Sequence, residues 1–223
     1  MKKAIQLYSA YKACEQDLEQ TLGRIHEMGY EGVEFAGLYG NSPYDIAKWL
    51  NRYHLKTTSM HYSANDLCDH AEEYIQLGKI LGCNQMIICW HEMENRQDVE
   101  QLAKRILAVA DRYDKYGIKI GYHNHRHEFK RDGGRCLLDL LMEQTEGKML
   151  LEPDVYWIYR GGQQPMDYLK RYAPLIKCFH FKDGDAEHGM PAGTGVVPLR
   201  EIVGFAKQAG FDWAVVELSL IHI

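Results

Sequence analysis

Three short stretches of this 223-residue chain pair ionisable side chains at a spacing of two: His123 with His125, Glu152 with Asp154, and His180 with Lys182. In an extended strand that spacing puts both side chains on one face. Glu34, His61 and Glu217 add single ionisable groups at the ends of other apolar runs, and Trp90 and Trp157 stand beside such ends. Neutral imidazole and carboxylate together suit a divalent ion such as Mn2+, Zn2+, Co2+ or Mg2+. No cysteine sits among these residues, which argues against a structural thiolate zinc site. A single histidine at a strand end is more often a hydrogen-bonded structural group than a ligand. Glu34 suits a helix cap or an arginine partner as well as it suits a substrate hydroxyl. Trp90 and Trp157 suit core packing as well as stacking on a sugar face. His127 and Glu128 read as a solvent-facing loop. The weight therefore rests on the joint pattern.

Short β-branched or aromatic runs alternate with amphipathic stretches along the whole chain. Strands are expected at 4–9, 32–37, 56–62, 85–90, 119–125, 149–154, 177–182 and 213–217. Helices are expected at 17–28, from Ser42-Pro43 to about 53, and at about 69–81, 97–116, 136–144, 165–172 and 199–209. Ser42 before Pro43 is an N-cap followed by proline at the first helical position. Strict alternation implies parallel strands joined by right-handed crossovers. Eight such strands point to a (β/α)8 TIM barrel, in which chemistry sits at the C-terminal strand ends. An open doubly wound sheet would carry a glycine-rich phosphate loop after its first strand, and Tyr8-Ser-Ala-Tyr-Lys12 is not one. Closing the ring would bring Asp154, His180 and Glu217, from strands six, seven and eight, to one point as metal ligands.

At 46% hydrophobic and 26% charged residues the composition is that of an ordinary globular domain. A chain this long buries roughly 70% of its unfolded surface and needs no disulfide or metal staple. The formal charge of −5 offers nothing basic to nucleic acid or to an anionic membrane. No apolar run reaches the ~20 residues that cross a bilayer, and the apolar opening is broken too soon for a signal peptide. Six scattered cysteines without CxxC spacing suit free, mostly buried thiols in a reducing cytoplasm. The expected organisation is one domain over 1–217, lacking the eighth helix of a full barrel. A non-native tail is expected over 218–223, Leu-Ser-Leu-Ile-His-Ile.

Gly29-Tyr-Glu-Gly-Val-Glu34, Gly121-Tyr-His-Asn-His125 with Glu128-Phe129, Asp154-Val-Tyr-Trp157 with Gly161-Gly162, His180-Phe-Lys-Asp183 and Val215-Val-Glu217 resemble the sugar phosphate isomerase/epimerase family. These are xylose-isomerase-like TIM barrels related to inosose dehydratases, ketose 3-epimerases and type IV apurinic endonucleases. The resemblance runs from Ile5 to Glu217. It implies one divalent ion, Mn2+ leading the candidates, held by Asp154, His180 and Glu217. The fourth ligand, a glutamate on strand five in the ketose epimerases, aligns with His123 here, and His125 on the same face is the other candidate. That departure weakens the two-glutamate proton exchange of those epimerases and favours a dehydratase. The endonucleases' multi-metal cluster and grip on DNA do not fit the ligand set or the charge.

With one divalent ion given, the chemistry natural to such a site is proton abstraction next to a carbonyl of a small sugar or sugar-derived substrate. Glu217, His125 and Glu152 are the candidate acids and bases, and Lys182 is placed to hold an anionic oxygen. Glu34, His61, Trp90 and Trp157 are the candidate substrate contacts. Return of the proton to the opposite face gives epimerisation, to the next carbon isomerisation, and expulsion of a β-hydroxyl dehydration. The primary reading is a metal-dependent sugar isomerase or epimerase, with a keto-sugar or keto-inositol dehydratase or lyase as the alternative. A barrel that binds sugar without turnover is a further reading, and so is a fragment of a longer enzyme. A homo-oligomer is compatible with all of them.

Overall fold

The computed structural model describes residues 1–218. Eight parallel strands form its main sheet: β1 (Lys2–Gln6), β2 (Gly32–Phe35), β3 (Lys56–Tyr62), β4 (Gln85–Ile88), β5 (Lys119–His123), β6 (Leu150–Glu152), β7 (Cys178–Phe181) and β8 (Trp213–Val216). Their order is β6-β5-β4-β3-β2-β1-β8-β7. The ends of that series meet again, because Asp154 bridges His180 and the His180 N–H donates to Pro153 O at 2.9 Å. The sheet is therefore a nearly closed (β/α)8 TIM barrel. The predicted tail over 218–223 lies, apart from Leu218, outside the described residues.

Helices α1 (Tyr11–Gln16), α2 (Leu18–Glu27), α3 (Pro43–Arg52), α4 (Ala64–Asp69), α5 (Ala71–Leu81), α6 (Arg96–Asp114), α7 (Leu137–Gln144), α8 (Val155–Arg160), α9 (Pro165–Tyr172) and α10 (Leu199–Ala209) follow the strands. Each long helix has a local cause. Asp17 accepts the Gln20 N–H to start α2, which buries Leu18, Leu22 and Ile25. Asn95 and Asp98 form a reciprocal capping box at the start of α6. Gly82 and Gly210, in the left-handed region at φ 63° and 78°, end α5 and α10. No described helix is long and apolar enough to cross a membrane.

Several strand ends fall earlier than the apolar runs suggest. β1 stops at Gln6, because the Gln6 side chain accepts the Tyr8 N–H and turns the chain into a 3-10 turn over Leu7–Ala10. β5 stops at His123 and β6 at Glu152, so His125 and Asp154 begin loops. Short helices α1, α4 and α8 fill places where the sequence analysis expects none. α4 begins on Ser63, whose capping box with Asp66 is legible as Ser-x-x-Asp.

Candidate metal centre

Asp154 follows β6 and caps α8: its Oδ1 accepts the Tyr156 and Trp157 N–H groups, each at 2.9 Å. Asn124 Oδ1, after β5, accepts the Asp154 N–H at 3.1 Å and pins the same loop. The other oxygen, Asp154 Oδ2, is buried and has no hydrogen-bond partner. His180 on β7 reaches it to 4.0 Å with Nδ1, and the same nitrogen lies 2.8 Å from Glu217 Oε2. Lys182 donates to Glu217 Oε1 at 3.1 Å. One ligand atom each from His123, Asp154, His180 and Glu217 lies within 4.8 Å of the other three. The structure thus brings together the four residues expected to bind metal.

The electrostatics prepare these groups differently. Burial, with His180 beside it, pushes His123 down to about 4, so its imidazole is neutral at pH 7. Burial, reinforced by His123, likewise lowers His125. Nδ1 of His123 and of His125 is buried without a hydrogen-bond partner; Glu152 Oε2 lies 3.5 Å from His123 Nδ1 without the geometry of a bond. Burial pushes the Asp154 carboxyl up, against the pull of Lys182. Burial works against the charge of Glu217 too, but Lys182 and His180 overcome it and hold its carboxyl low. A buried carboxylate oxygen with no donor costs about 1–3 kcal/mol or more. Burial pulls the His180 pKa down, but Glu34 and Glu152 beside it hold it well above the usual imidazole range. A divalent ion is a partner that an Asp, a Glu and imidazole nitrogens suit together.

Behind this face lies a second set of expected residues. Glu34 and Glu152 are fully buried in the barrel interior. Glu34 Oε1 accepts from Gln6 Nε2 at 2.8 Å and lies 2.8 Å from His180 Nε2; Glu34 Oε2 accepts from Ser59 Oγ. Glu152 is bound by His61 Nε2 at 2.6 Å and by Cys178 Sγ at 3.0 Å. Neither carboxylate lines the cavity that opens over the ligand face; both are held inward by Gln6, Ser59, His61 and Cys178. His61 remains at the cavity wall; burial pulls its pKa down, but Glu34 and Glu152 beside it hold it up at about 10.

A cavity of about 630 Å3 opens over the ligand face, lined by His61, Trp90, His125, Trp157, Lys182 and Glu217 among others. Trp157 lies under Lys182 Nζ, 5.0 Å from the ring centre, and Trp90 is 50% exposed at the rim. Glu128 does not face solvent: it is fully buried, accepting from Tyr122 OH at 2.8 Å and from the His125 N–H at 2.9 Å. It turns the chain so that His125 enters the cavity. His127 is only half-buried, with Nε2 2.9 Å from His91 O. Glu128 and Gln6 are the residues that strand-end reasoning misses.

The model for xylose isomerase-like TIM barrels matches residues 22–220. The chain belongs to that family. This xylose isomerase-like barrel is 25% identical over 192 residues to an inosose dehydratase of Geobacillus kaustophilus, an alignment covering 74% of this chain and 61% of that protein. It thus spans about three fifths of that relative's length. It superimposes on a sugar phosphate isomerase/epimerase of Parabacteroides distasonis with a TM-score of 0.85 at 23% identity, covering 97% of this chain and 88% of the other. The IOLI protein, solved with a binding zinc atom, gives a TM-score of 0.78 at 17% identity, covering 98% and 89%. Both likenesses are of fold.

Proposed function

We propose that this chain is a divalent-metal-dependent enzyme that removes a proton next to the carbonyl of a keto-sugar or keto-cyclitol. The observation that carries the reading is Asp154 Oδ2, buried without a hydrogen bond, 3.9 Å from Lys182 Nζ and grouped with His180, Glu217 and the neutral His123. The zinc atom of the IOLI protein supports a metal at a site of this fold. Asp154, His180, Glu217 and His123 would hold the ion, Mn2+ leading and Zn2+, Co2+ and Mg2+ the other candidates. Bound there, it would supply Lewis acidity to adjacent carbonyl and hydroxyl oxygens.

The remaining steps belong to the chain. Trp157 and Trp90 offer flat apolar walls to the carbon face of a sugar ring. His125, neutral and lining the cavity, is the candidate base for the α-proton. Lys182, kept charged by Glu217 and Asp154 against the pull of burial, steadies the negative charge that develops on substrate oxygen. Returning the proton to carbon gives isomerisation or epimerisation. Expulsion of a β-hydroxyl gives dehydration, the reading favoured by the inosose dehydratases among its relatives.

Elemental analysis of the purified protein, then incubation of the Mn2+-loaded form with D-fructose, D-tagatose and 2-keto-myo-inositol in D2O, tests the proposal. Deuterium at the α-carbon with no loss of water supports the isomerase or epimerase. Loss of water supports the dehydratase. A protein that retains no divalent ion at micromolar concentrations sinks the proposal.

A further inference from the structure

His180 is engaged on both sides of its ring. Nδ1 faces Glu217 and Asp154, while Nε2 lies 2.8 Å from Glu34 Oε1. An imidazole that ligates a metal through one nitrogen keeps its proton on the other. The group that accepts from Nε2 therefore decides whether Nδ1 has a free lone pair. Glu34, from β2 and 146 residues away, is built for that part: Gln6 and Ser59 each donate to one of its oxygens and fix the carboxylate plane.

The same deep atoms form a hydrogen-bonded cluster behind the ligand face. His61 Nε2 lies 2.6 Å from Glu152 Oε2 and 3.0 Å from Glu34 Oε1, and His180 Nε2 lies 2.8 Å from Glu34 Oε1. These are hydrogen-bond lengths. Asp154 Oδ2, buried without a hydrogen bond, lies on the Nδ1 side.

We infer that Glu34 is a positioning residue that accepts the His180 Nε2 proton and so presents Nδ1 unprotonated to a divalent ion beside Asp154 and Glu217. The inference rests on the proposed metal centre and gives Glu34 a role other than substrate binding. Outer-shell carboxylates of this kind typically carry 10–100-fold in metal affinity.

The test compares wild type with Glu34→Gln, each stripped by chelator and titrated with Zn2+ against a fluorescent indicator. The zinc-loaded proteins, with 15N-labelled histidine, are then examined by NMR for the His180 Nε2–H proton. Glu34→Gln is expected to bind zinc about 10–100-fold more weakly, and the wild-type Nε2–H signal to move upfield or vanish into exchange. Ser59→Ala keeps the carboxylate but loosens it, and is expected to cost about threefold. Equal zinc affinity in wild type and Glu34→Gln, or an unmoved Nε2–H signal, overturns the inference and leaves the metal centre standing. Wild type that takes up no zinc fails the metal centre itself, and the inference with it. If Glu34→Gln does not fold, Ser59→Ala decides, and unchanged affinity with an unmoved signal there overturns the inference.

Discussion

Asp154 divides its two oxygens between fold and chemistry, and substitutions separate them. Asp154→Asn retains an oxygen to cap α8 but loses the charge and, with it, the second ligand oxygen. It is expected to fold with an unchanged melting temperature while binding metal at least 100-fold more weakly, read by titration. Asp154→Ala is expected to lose the metal and also about 1 kcal/mol of stability, because two α8 N–H groups lose their acceptor. Equal affinity in Asp154→Asn and wild type would remove Asp154 from the ligand set. For His125 the expectation is the reverse. His125→Ala should retain metal within a few-fold and lower turnover by about 10²–10⁴, the usual range for a proton-transfer group. Unchanged turnover on a substrate that wild type converts would take His125 out of the mechanism. The four clustered candidate ligands were legible in the sequence because two-residue spacing and strand ends mark them without any detail of the fold. The inner carboxylates were not. Nothing in Gly-Val-Glu34 or Leu-Leu-Glu152 says whether a glutamate looks up into the cavity or inward to Gln6 and Cys178; only the barrel's closure decides that.

At the scale of elements, periodicity located the eight strands because each is buried and β-branched or aromatic, and helix ends were marked by caps that act locally. What escaped were features made by side chains bonding to backbone. The 3-10 turn after β1 depends on Gln6, and α8 depends on Asp154. Asp183, the last residue of His180-Phe-Lys-Asp183, is another. It is buried, and it accepts the N–H groups of Gly184 and Val197 on Oδ1 and of Gly193 and Gly195 on Oδ2. A Cβ on Gly195 would collide with Asp183 Oδ1 and with Gly184 O, so glycine is needed for that close approach. This loop carries Glu187, His188 and Gly189 to an outer cavity of about 770 Å3 that shares Trp90, His125, Trp157 and Lys182 with the inner one. Asp183→Asn can accept with one oxygen only, leaving two of the four N–H groups without their partner. It is expected to cost about 2–4 kcal/mol and to make the 185–195 segment cleavable by dilute protease while zinc affinity stays within threefold. Protease resistance equal to wild type would mean that the loop holds without this carboxylate.

Among the described residues the barrel has one weak seam, and the proposed ion sits on it. Seven of the eight strand junctions are ladders of three or more paired residues, whereas β6 meets β7 through the single Asp154–His180 bridge. His123 comes from β5, Asp154 from the end of β6, His180 from β7 and Glu217 from the end of β8, so their shared ligand atoms span the seam from both sides. Anything that binds the folded form alone adds RT ln(1 + [L]/Kd), about 2.7 kcal/mol at one hundred times Kd. For a chain of this length each kcal/mol is about 2–4 °C in Tm. Saturating Mn2+ or Zn2+ is therefore expected to raise the melting temperature of chelator-stripped protein by roughly 5–10 °C, and EDTA to reverse the gain. The distribution of that gain separates a seam-bridging ion from one bound elsewhere. Hydrogen exchange should slow most at the amides of β6 and β7, whose opening needs only one bridge to break, and least on β2 and β3, which are laddered on both sides. An equal slowing across the barrel, or protection confined to the surface helices, would place the stabilising ion away from Asp154 and His180.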